Sequence, residues 1–447
     1  MDYLNKVDTI KIIDATCGKG KTSWAIQYMN EADPSEKFLF ITPFLTEVER
    51  IKEGVQQRKF SEPSIGKGNE SKFSSLKQLL NKGENIVSTH KLFSRLDKEA
   101  YEIIKSQNYT LILDEVMDVI EQIPIAPDDI KILLNSKTSE GTSYISVDEQ
   151  GFIKWNNKDY NGKFYKDIQL KAYSSSLMMY KDTAIFSVFP IQAFSSFRNV
   201  FVLTYMFYGQ TQRYYFEMFN LKYKFHSTRF NNEKGKYELI DYVRPSQENV
   251  EHLKKNIKIY NKSPKDKKDL NAIGEDEWAF SSSWIRRKLA EEDEFPKKVI
   301  KNVYNFYHNK CNTKISKIMW TCVMDFQKDL EHERLTKQFV AVTSRATNDY
   351  IDRDTLIYLS NRYMNPLLKG FFENHNVKVL DEDLWALSEL LQWLFRSAIR
   401  QGNEINIYIP SSRMRGLLAK YLKGELISSF EKLVEGVFSK SSIITNG

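Results

Sequence analysis

Short apolar runs alternate with stretches of helical periodicity along the first half of the chain. Each run has the length of a buried strand and ends at Gly, Pro or polar residues. The first run, Thr9–Asp14, precedes a Gly-rich turn and a helix predicted over Lys21–Met29. This alternation predicts an α/β domain with a parallel sheet. The other strands predicted here are Lys37–Thr42, Asn85–Ser88, Thr110–Leu113 and Asn199–Leu203.

The segment from about residue 125 to 180 interrupts this alternation. Within it, Tyr144–Val147 and Phe152–Trp155 flank the turn sequence Glu149-Gln150-Gly151, a pattern that predicts a β-hairpin. We expect the segment to be an insertion in the first domain. The hairpin either decorates the surface or acts as a wedge or clamp on nucleic acid, because surface loops often carry function.

The second half of the chain returns to the α/β pattern. A polar segment, residues 261–276, predicts a loop or linker. Strands are predicted at Lys317–Thr321, Gln338–Thr343 and Glu404–Ile409, and a helix over Leu384–Ile399. A chain of 447 residues exceeds one ordinary core. The pattern therefore predicts two domains, over residues 1–225 and 226–447, with the insertion in the first.

Composition narrows the class of protein only slightly. The chain is 41% hydrophobic and 28% charged, as in soluble globular proteins. The net charge of +7 suits a partner that carries phosphates but does not require one. Three dispersed cysteines indicate neither a disulfide framework nor a zinc site. The N-terminal residues do not resemble a signal peptide, and no apolar run spans a bilayer, so we expect a cytoplasmic protein.

The segment Ala15–Thr22 (ATCGKGKT) matches the P-loop pattern except that Ala15 replaces its first glycine. It lies between a predicted strand and a predicted helix, as a P-loop must, whereas a chance Gly-rich turn need not. Gly18 and Gly20 let backbone N–H groups face phosphate oxygens. Lys21 is expected to bridge the β- and γ-phosphates and Thr22 to ligate Mg²⁺, which predicts ATP and Mg²⁺ as cofactors. The predicted nucleotide-binding residues are Thr16, Cys17, Gly18, Lys19, Gly20, Lys21 and Thr22.

The segment Leu111–Glu115 places two adjacent carboxylates at the end of an apolar strand. Ligands of parallel sheets bind at the carboxyl ends of the strands. Asp114 is therefore predicted to hold Mg²⁺, and Glu115 to polarise the attacking water.

These and other segments resemble the motifs of superfamily 2 helicases. Ala15–Thr22 resembles the first motif, which commonly begins with Ala, and Asp114–Met117 resembles the Asp-Glu-x-Asp/His box. Gln392–Arg400 resembles the sixth motif, which supplies arginines to the γ-phosphate. Taken together, the chain resembles DEAD/DEAH-type helicases of phages and mobile elements. Looser resemblances to other motifs are Ile41–Glu47, Ser88–His90, Leu203–Tyr205, Ala341–Thr347 and Tyr408–Arg415.

The resemblance implies two RecA-like domains with parallel sheets and an arginine-bearing helix in the second. Two departures stand out: Met117 replaces the usual Asp or His, and Arg396 and Arg400 are four rather than three residues apart. Either spacing puts both arginines on one helix face, where they act on the γ-phosphate or form a solvated basic surface. The implied catalytic residues are Glu115, Gln392, Arg396 and Arg400.

Hydroxyl-bearing residues at strand ends are candidates for contacts with nucleic-acid phosphates. Each could equally cap a strand end or a turn. The hydroxyl-bearing candidates are Thr42, Ser88, Thr89, Thr343 and Ser344, and Pro43, which follows Thr42, is a further candidate contact.

The resemblance predicts an ATP-dependent helicase or translocase. Its expected substrate is nucleic acid, with single-stranded or forked DNA favoured over RNA. Replication or recombination proteins are further candidate partners, and the host cytoplasm is the expected location. Two alternatives remain: an ATP-gated clamp or loader that grips nucleic acid without unwinding it, and a terminase-like packaging ATPase, which would need a metal-dependent nuclease domain.

Overall fold

The computed structural model describes residues 9–43, 45–65, 71–243, 250–343, 348–377 and 380–425. The chain divides into two compact units. The first consists of Met1–Asp14, Gly20–Leu239 and Met364–Leu380, and the second of Ala15–Lys19, Ile240–Tyr363 and Asp381–Gly447.

The first unit is built on a large sheet whose central strands are apolar along their whole length. Such continuous apolar runs are typical of strands buried on both faces. The strands of this unit are β1 (Ile10–Asp14), β2 (Lys37–Thr42), β3 (Phe60–Ser61), β4 (Asn85–Thr89), β5 (Tyr109–Asp114), β6 (Ile120–Gln122), β7 (Ile145–Val147), β8 (Ile153–Trp155), β9 (Leu177–Tyr180), β10 (Ala184–Val188), β11 (Asn199–Thr204), β12 (Tyr223–Asn231) and β13 (Lys236–Asp241).

In the described part of the chain, eight of these strands form one sheet in the order β13-β12-β1-β11-β5-β2-β4-β3. The pairings from β12 through to β3 are parallel, with Ile13 opposite Leu203 and Leu203 opposite Asp114. The carboxyl ends of β1, β11, β5, β2 and β4 therefore lie along one edge. The helices of the unit are α1 (Lys21–Glu31), α2 (Leu45–Gly54), α3 (Lys72–Lys82), α4 (His90–Phe93), α5 (Lys98–Ser106), α6 (Pro127–Asn135), α7 (Lys166–Tyr173), α8 (Gln192–Ser195) and α9 (Thr211–Met218).

The predicted insertion contains the predicted hairpin, β7–β8, together with part of a small antiparallel sheet in the order β6-β10-β9. The hairpin is not free-standing. Trp155 is buried in a local core with Ile145 and Ile153, and the N–H of Met179 in β9 donates to the carbonyl of Gly151 at the hairpin tip (2.9 Å). The tip is therefore attached to its neighbouring strand.

The first unit also contains a segment from late in the sequence. Helix α14 (Pro366–Asn374) places Phe371 with its ring centroid 4.5 Å from that of Phe186, and Phe372 5.5 Å from Tyr214. The predicted boundary after residue 225 falls inside β12, whose His226 pairs with Ile13 of β1. The structure thus extends the first unit to Leu239 and adds residues 364–380 to it.

The second unit has a parallel sheet in the order β14-β17-β16-β15. Its core contains Trp320, Ile357 and Tyr408, with helical residues such as Phe306 packed against them. The strands are β14 (Ile257–Ile259), β15 (Ile318–Cys322), β16 (Thr355–Leu359) and β17 (Ile405–Tyr408). The helices are α10 (Glu251–Asn256), α11 (Ser282–Glu291), α12 (Phe295–Tyr304), α13 (Gln327–Leu330), α15 (Glu382–Leu394) and α16 (Ser412–Leu422).

The strand predicted at Gln338–Thr343 does not form, and β16 takes its place in the sheet. Side chains occupy the carbonyls that a strand would need. The indole N–H of Trp393 donates to Val340, and the guanidinium of Arg396 donates to Ala341 and Val342. Only a single bridge, Trp320 to Phe339, joins this segment to β15.

Two further predictions about the second unit need correction. The helix predicted over Leu384–Ile399 ends at Leu394, and a separate 3₁₀ turn covers Ala398–Gln401. Part of the predicted linker is packed rather than loose, because the carbonyl of Leu270, in the 3₁₀ turn Leu270–Gly274, accepts a bond from the hydroxyl of Tyr408 (2.7 Å).

Candidate functional site

The P-loop, Ala15–Thr22, joins β1 to α1. Gly18 and Gly20 have φ values of 84° and 81°, the left-handed region that favours glycine. The N–H of Lys19 donates to Thr16 (3.2 Å), which closes the turn, and α1 begins directly at Lys21. A left-handed loop leading into a helix N-terminus presents backbone N–H groups to an anion. The geometry of the predicted phosphate loop is therefore present.

Three oxygen-bearing side chains from distant parts of the sequence meet beside this loop. The hydroxyl of Thr22 lies 3.4 Å from Asp114 Oδ1, and the hydroxyl of Thr42 lies 3.5 Å from Asp114 Oδ2. They meet because β1, β2 and β5 all end at the same edge of the sheet. Hydroxyl and carboxylate oxygens are the donors that Mg²⁺ prefers, so Thr22 and Asp114 suit the metal predicted for them.

The electrostatics of Asp114 fit a cation site. Burial and, to a smaller extent, the nearby carboxylates of Glu115 and Glu47 raise the pKa of Asp114 to about 7, although Lys21 and Arg50 oppose the shift. The ionised form of a carboxyl group in such surroundings is stabilised strongly by a positive charge placed beside it.

Glu115 has a left-handed backbone, with φ of 68°, although it is not a glycine. Such conformations cost roughly 1–3 kcal/mol and are concentrated at functional sites. The Glu115 N–H donates to Leu203 at the end of β11 (2.9 Å), and His90 Nε2 lies 3.0 Å from the Asp114 carbonyl. Residues of β11 and α4 thus hold the backbone of both acidic residues in place.

Buried polar residues that the sequence analysis did not single out support this edge. The Asp14 carboxylate accepts the N–H groups of Met206 (2.9 Å) and Phe207 (3.0 Å) just after β11. The Gln212 side chain accepts the N–H of Met117 (2.8 Å), which fixes the chain after the acidic pair. These roles of Asp14 and Gln212 are hard to predict from the sequence, because an Asp before a P-loop or a Gln in a helix can make many other contacts.

The predicted nucleic-acid contacts fall into different environments. Thr42 and Ser88 are buried, and Thr42 lies opposite Thr89, which is half-buried. Pro43 is half-buried and Thr343 is exposed. Ser344 lies outside the described residues.

The predicted arginines do not share a helix face, because both lie beyond the end of α15. Arg396 is 4% exposed, and its guanidinium donates to the carbonyls of Ala341 (3.1 Å) and Val342 (3.2 Å). Arg400 is exposed on the 3₁₀ turn, and Gln392 is half-buried within α15. Arg396 therefore supports the segment before Thr343.

A family model of the type III restriction enzyme res subunit matches residues 2–123, which include the P-loop and Asp114. Together with the predicted α/β fold, which the parallel sheets of both units confirm, this match defines the class: a helicase-like protein of superfamily 2, as the motifs predicted. A protein of this class is in general an ATPase that acts on nucleic acid.

Models of the YonV middle domain and the YonV C-terminal Rossmann-like domain match residues 120–187 and 251–422. The chain is 36% identical over 426 residues to the SPbeta prophage-derived uncharacterized protein YonV of Bacillus subtilis (strain 168), covering 94% of this chain and 100% of that protein. The chain therefore belongs to the YonV family. The prophage origin of this relative confirms the predicted likeness to phage proteins.

The chain also has a limited similarity to solved structures, at low sequence identity. Apo XPD is 13% identical with a TM-score of 0.47, covering 93% of this chain and 95% of that one. Xpd4 of S. tokodaii is 12% identical with a TM-score of 0.44, covering 94% and 95%. Dbp5 of S. cerevisiae bound to RNA and ADP BeF3 is 11% identical with a TM-score of 0.35, covering 94% and 84%.

Among the residues that the structure describes, no helix is both long enough and apolar enough to cross a membrane.

Proposed function

We propose that the chain hydrolyses ATP at the P-loop and uses the energy to move along or unwind nucleic acid. The observation that carries this proposal is the meeting of Thr22 and Asp114, which are 92 positions apart in sequence yet 3.4 Å apart in space. A P-loop hydroxyl and a strand-end carboxylate at this distance are the pair that a Mg²⁺–nucleotide complex needs.

In this mechanism the backbone N–H groups of the P-loop bind the phosphates, and Lys21 bridges the β- and γ-phosphates. Thr22 and Asp114 would hold Mg²⁺, which supplies positive charge to the phosphate oxygens. Glu115 accepts a hydrogen bond from the attacking water and orients it toward the γ-phosphate. The strained Glu115 backbone keeps this carboxylate at the strand end without rearrangement during the reaction.

Arg400 is the proposed γ-phosphate arginine, because its side chain is exposed whereas that of Arg396 is engaged with two carbonyls. Arg396 then has a positioning role for the segment Ala341–Thr343. Gln392, on the preceding helix, is a proposed companion of Arg400.

The proposed substrate is single-stranded or forked DNA in preference to RNA, with replication or recombination proteins as further partners. Its proposed contacts are Thr343, which is exposed, and Thr89 and Pro43, which are partly accessible to solvent. Ser88 and Thr42 are buried, so a supporting role suits them better than direct contact.

The first test is the steady-state ATPase rate without nucleic acid, with single-stranded DNA and with single-stranded RNA. We expect stimulation by nucleic acid, and more by DNA. Lys21→Ala should lose nucleotide binding and hydrolysis together. Glu115→Gln should bind ATP normally but hydrolyse it roughly 10²–10⁴-fold more slowly, since it removes general-base assistance. An ATPase rate of Lys21→Ala equal to that of the wild type would contradict the proposal.

The clamp alternative is favoured by one observation: Met117, whose side chain is buried, is at the second position after the acidic pair, where the helicase box usually carries Asp or His. A strand-separation assay on forked DNA distinguishes the two functions. Unwinding at a rate that follows ATP hydrolysis supports the helicase. ATP-dependent retention on DNA with slow turnover and no separation supports the clamp.

A further inference from the structure

Strands β12 and β13 form a hairpin that extends past the carboxyl edge of the sheet, next to the P-loop. Strand β12 pairs with β1 from Ile10–Tyr223 to Ile13–His226, but β1 ends at Asp14 whereas β12 continues to Asn231. At about 3.3 Å per residue, the hairpin extends roughly 10–15 Å past the carboxyl edge of the sheet. Strand β13 then returns along β12 toward the sheet.

The returning strand places an aromatic ring on the P-loop. A Cβ atom built on Gly20 would lie only 2.0 Å from Tyr237 Cε1, so the Tyr237 ring is in contact with the backbone of Gly20. Bonds to α1 hold it there: the Tyr237 N–H donates to Gln27 Oε1 (2.9 Å), and Lys236 pairs with Glu31 (2.9 Å).

A second aromatic ring extends this surface away from the loop. Phe230, on β12, meets Tyr237 edge to face with 5.0 Å between ring centroids. Phe230 is 46% exposed, although it lies at the edge of a unit whose other aromatic rings are mostly buried. The hairpin thus presents two adjoining rings next to the residues that would bind phosphates.

We propose that Tyr237, supported by the edge-to-face contact with Phe230, forms the platform on which the base of the bound nucleotide stacks. This rests on the proposed function, since it takes the P-loop as the triphosphate site. Phosphates held by Ala15–Thr22 leave the base to extend from the loop, and the Tyr237 ring, which contacts Gly20, is within its reach. Stacking accepts any base but favours the larger face of a purine, so the platform selects ATP and GTP over CTP and UTP.

The test compares two ligands that share phosphates but differ in the base: Mg–ATP and magnesium with inorganic triphosphate. Binding of each is measured by titration calorimetry on the full chain. Tyr237→Ala is expected to weaken ATP binding about 5- to 100-fold, the range of one lost stacking contact, and to leave triphosphate binding unchanged. Phe230→Ala should do the same to a smaller degree, and Tyr237→Phe should retain wild-type binding.

The matched control is Glu233→Ala, an exposed residue of the same hairpin turn, for which we expect unchanged binding of both ligands. If Tyr237→Ala weakens both ligands equally, the ring only braces the P-loop and the platform is overturned. Unchanged ATP binding by Tyr237→Ala overturns it as well. Failure of the wild type to bind either ligand, or wild-type binding by Lys21→Ala, instead removes the proposed function and the platform with it.

Discussion

At the scale of single residues, Asp14 shows how the site is held by groups that never touch a ligand. Its carboxylate binds two backbone N–H groups after β11, and its carbonyl accepts the hydroxyl of Ser227 in β12 (2.9 Å). Strands β12, β1 and β11 are therefore linked through one residue next to the P-loop. Buried charge-assisted bonds of this kind contribute about 1.5–3 kcal/mol each.

Substitutions of the two arginines in the sixth-motif segment should affect different properties: that of Arg396 the stability, and that of Arg400 the ATPase activity. Arg396→Met leaves the carbonyls of Ala341 and Val342 without their donors, and we expect the free energy of unfolding to fall by about 1–3 kcal/mol. Arg400→Ala removes an exposed side chain and should change stability by less than about 0.5 kcal/mol while lowering the ATPase rate. Chemical denaturation and ATPase assays on both variants check this. A silent Arg400→Ala would exclude it as the γ-phosphate arginine.

The residues of the site were predictable to the extent that they lie in one short segment. Ala15–Thr22 and Asp114-Glu115 each carry a local pattern, and their meeting followed from parallel strand ends. The support from His90 and Gln212 depends on which strands are neighbours, which no local pattern encodes. Tyr237 lies more than 200 positions from Gly20, so its role was likewise invisible in sequence.

At the scale of elements, the apolar pattern predicted a strand at Gln338–Thr343 and missed the strand at Thr355–Leu359. Both Gln338–Thr343 and Thr355–Leu359 are apolar enough for the second sheet, and only the latter forms a strand. The outcome depends on Trp393 and Arg396, which bind the carbonyls of the rejected segment from other elements. Such a tertiary preference overrides local propensity.

The insertion hairpin depends on its own small core. Trp155→Ala removes a buried indole that packs beside Ile145 and Ile153, so we expect the local structure to lose about 3–5 kcal/mol. The hairpin should then become susceptible to limited proteolysis. Tyr173→Ala, which truncates an aromatic side chain 58% exposed on α7, is the matched control and should leave the cleavage pattern unchanged. Equal protection of both variants would show that the hairpin is held by other contacts.

At the scale of the whole molecule, the two units do not follow one another along the chain. The first unit is interrupted after Leu239 and resumes at Met364 with α14. No local signal marked this return, because the apolar pattern of residues 366–374 predicts a helix without saying which unit it joins. Its aromatic partners, Phe186 and Tyr214, are distant in sequence.

Loss of the α14 contacts should weaken the first unit specifically. Phe371 is fully buried against Phe186 and Tyr180, and Phe371→Ala should cost about 3–5 kcal/mol. Hydrogen exchange should then accelerate in β9, β10 and α9 but not in β15–β17. Met324→Ala, at a side chain 57% exposed in the second unit, serves as the control. Faster exchange throughout both units would contradict this assignment.

The late position of α14 also has a consequence for synthesis. The ribosome must translate residues 240–363 after the last strand of the first unit before the helix that completes that unit appears. At 5–20 residues per second, this interval lasts roughly 6–25 s. During that time Phe186 and Tyr214 lack their partners, so the nascent chain exposes an aromatic surface of the kind that chaperones recognise.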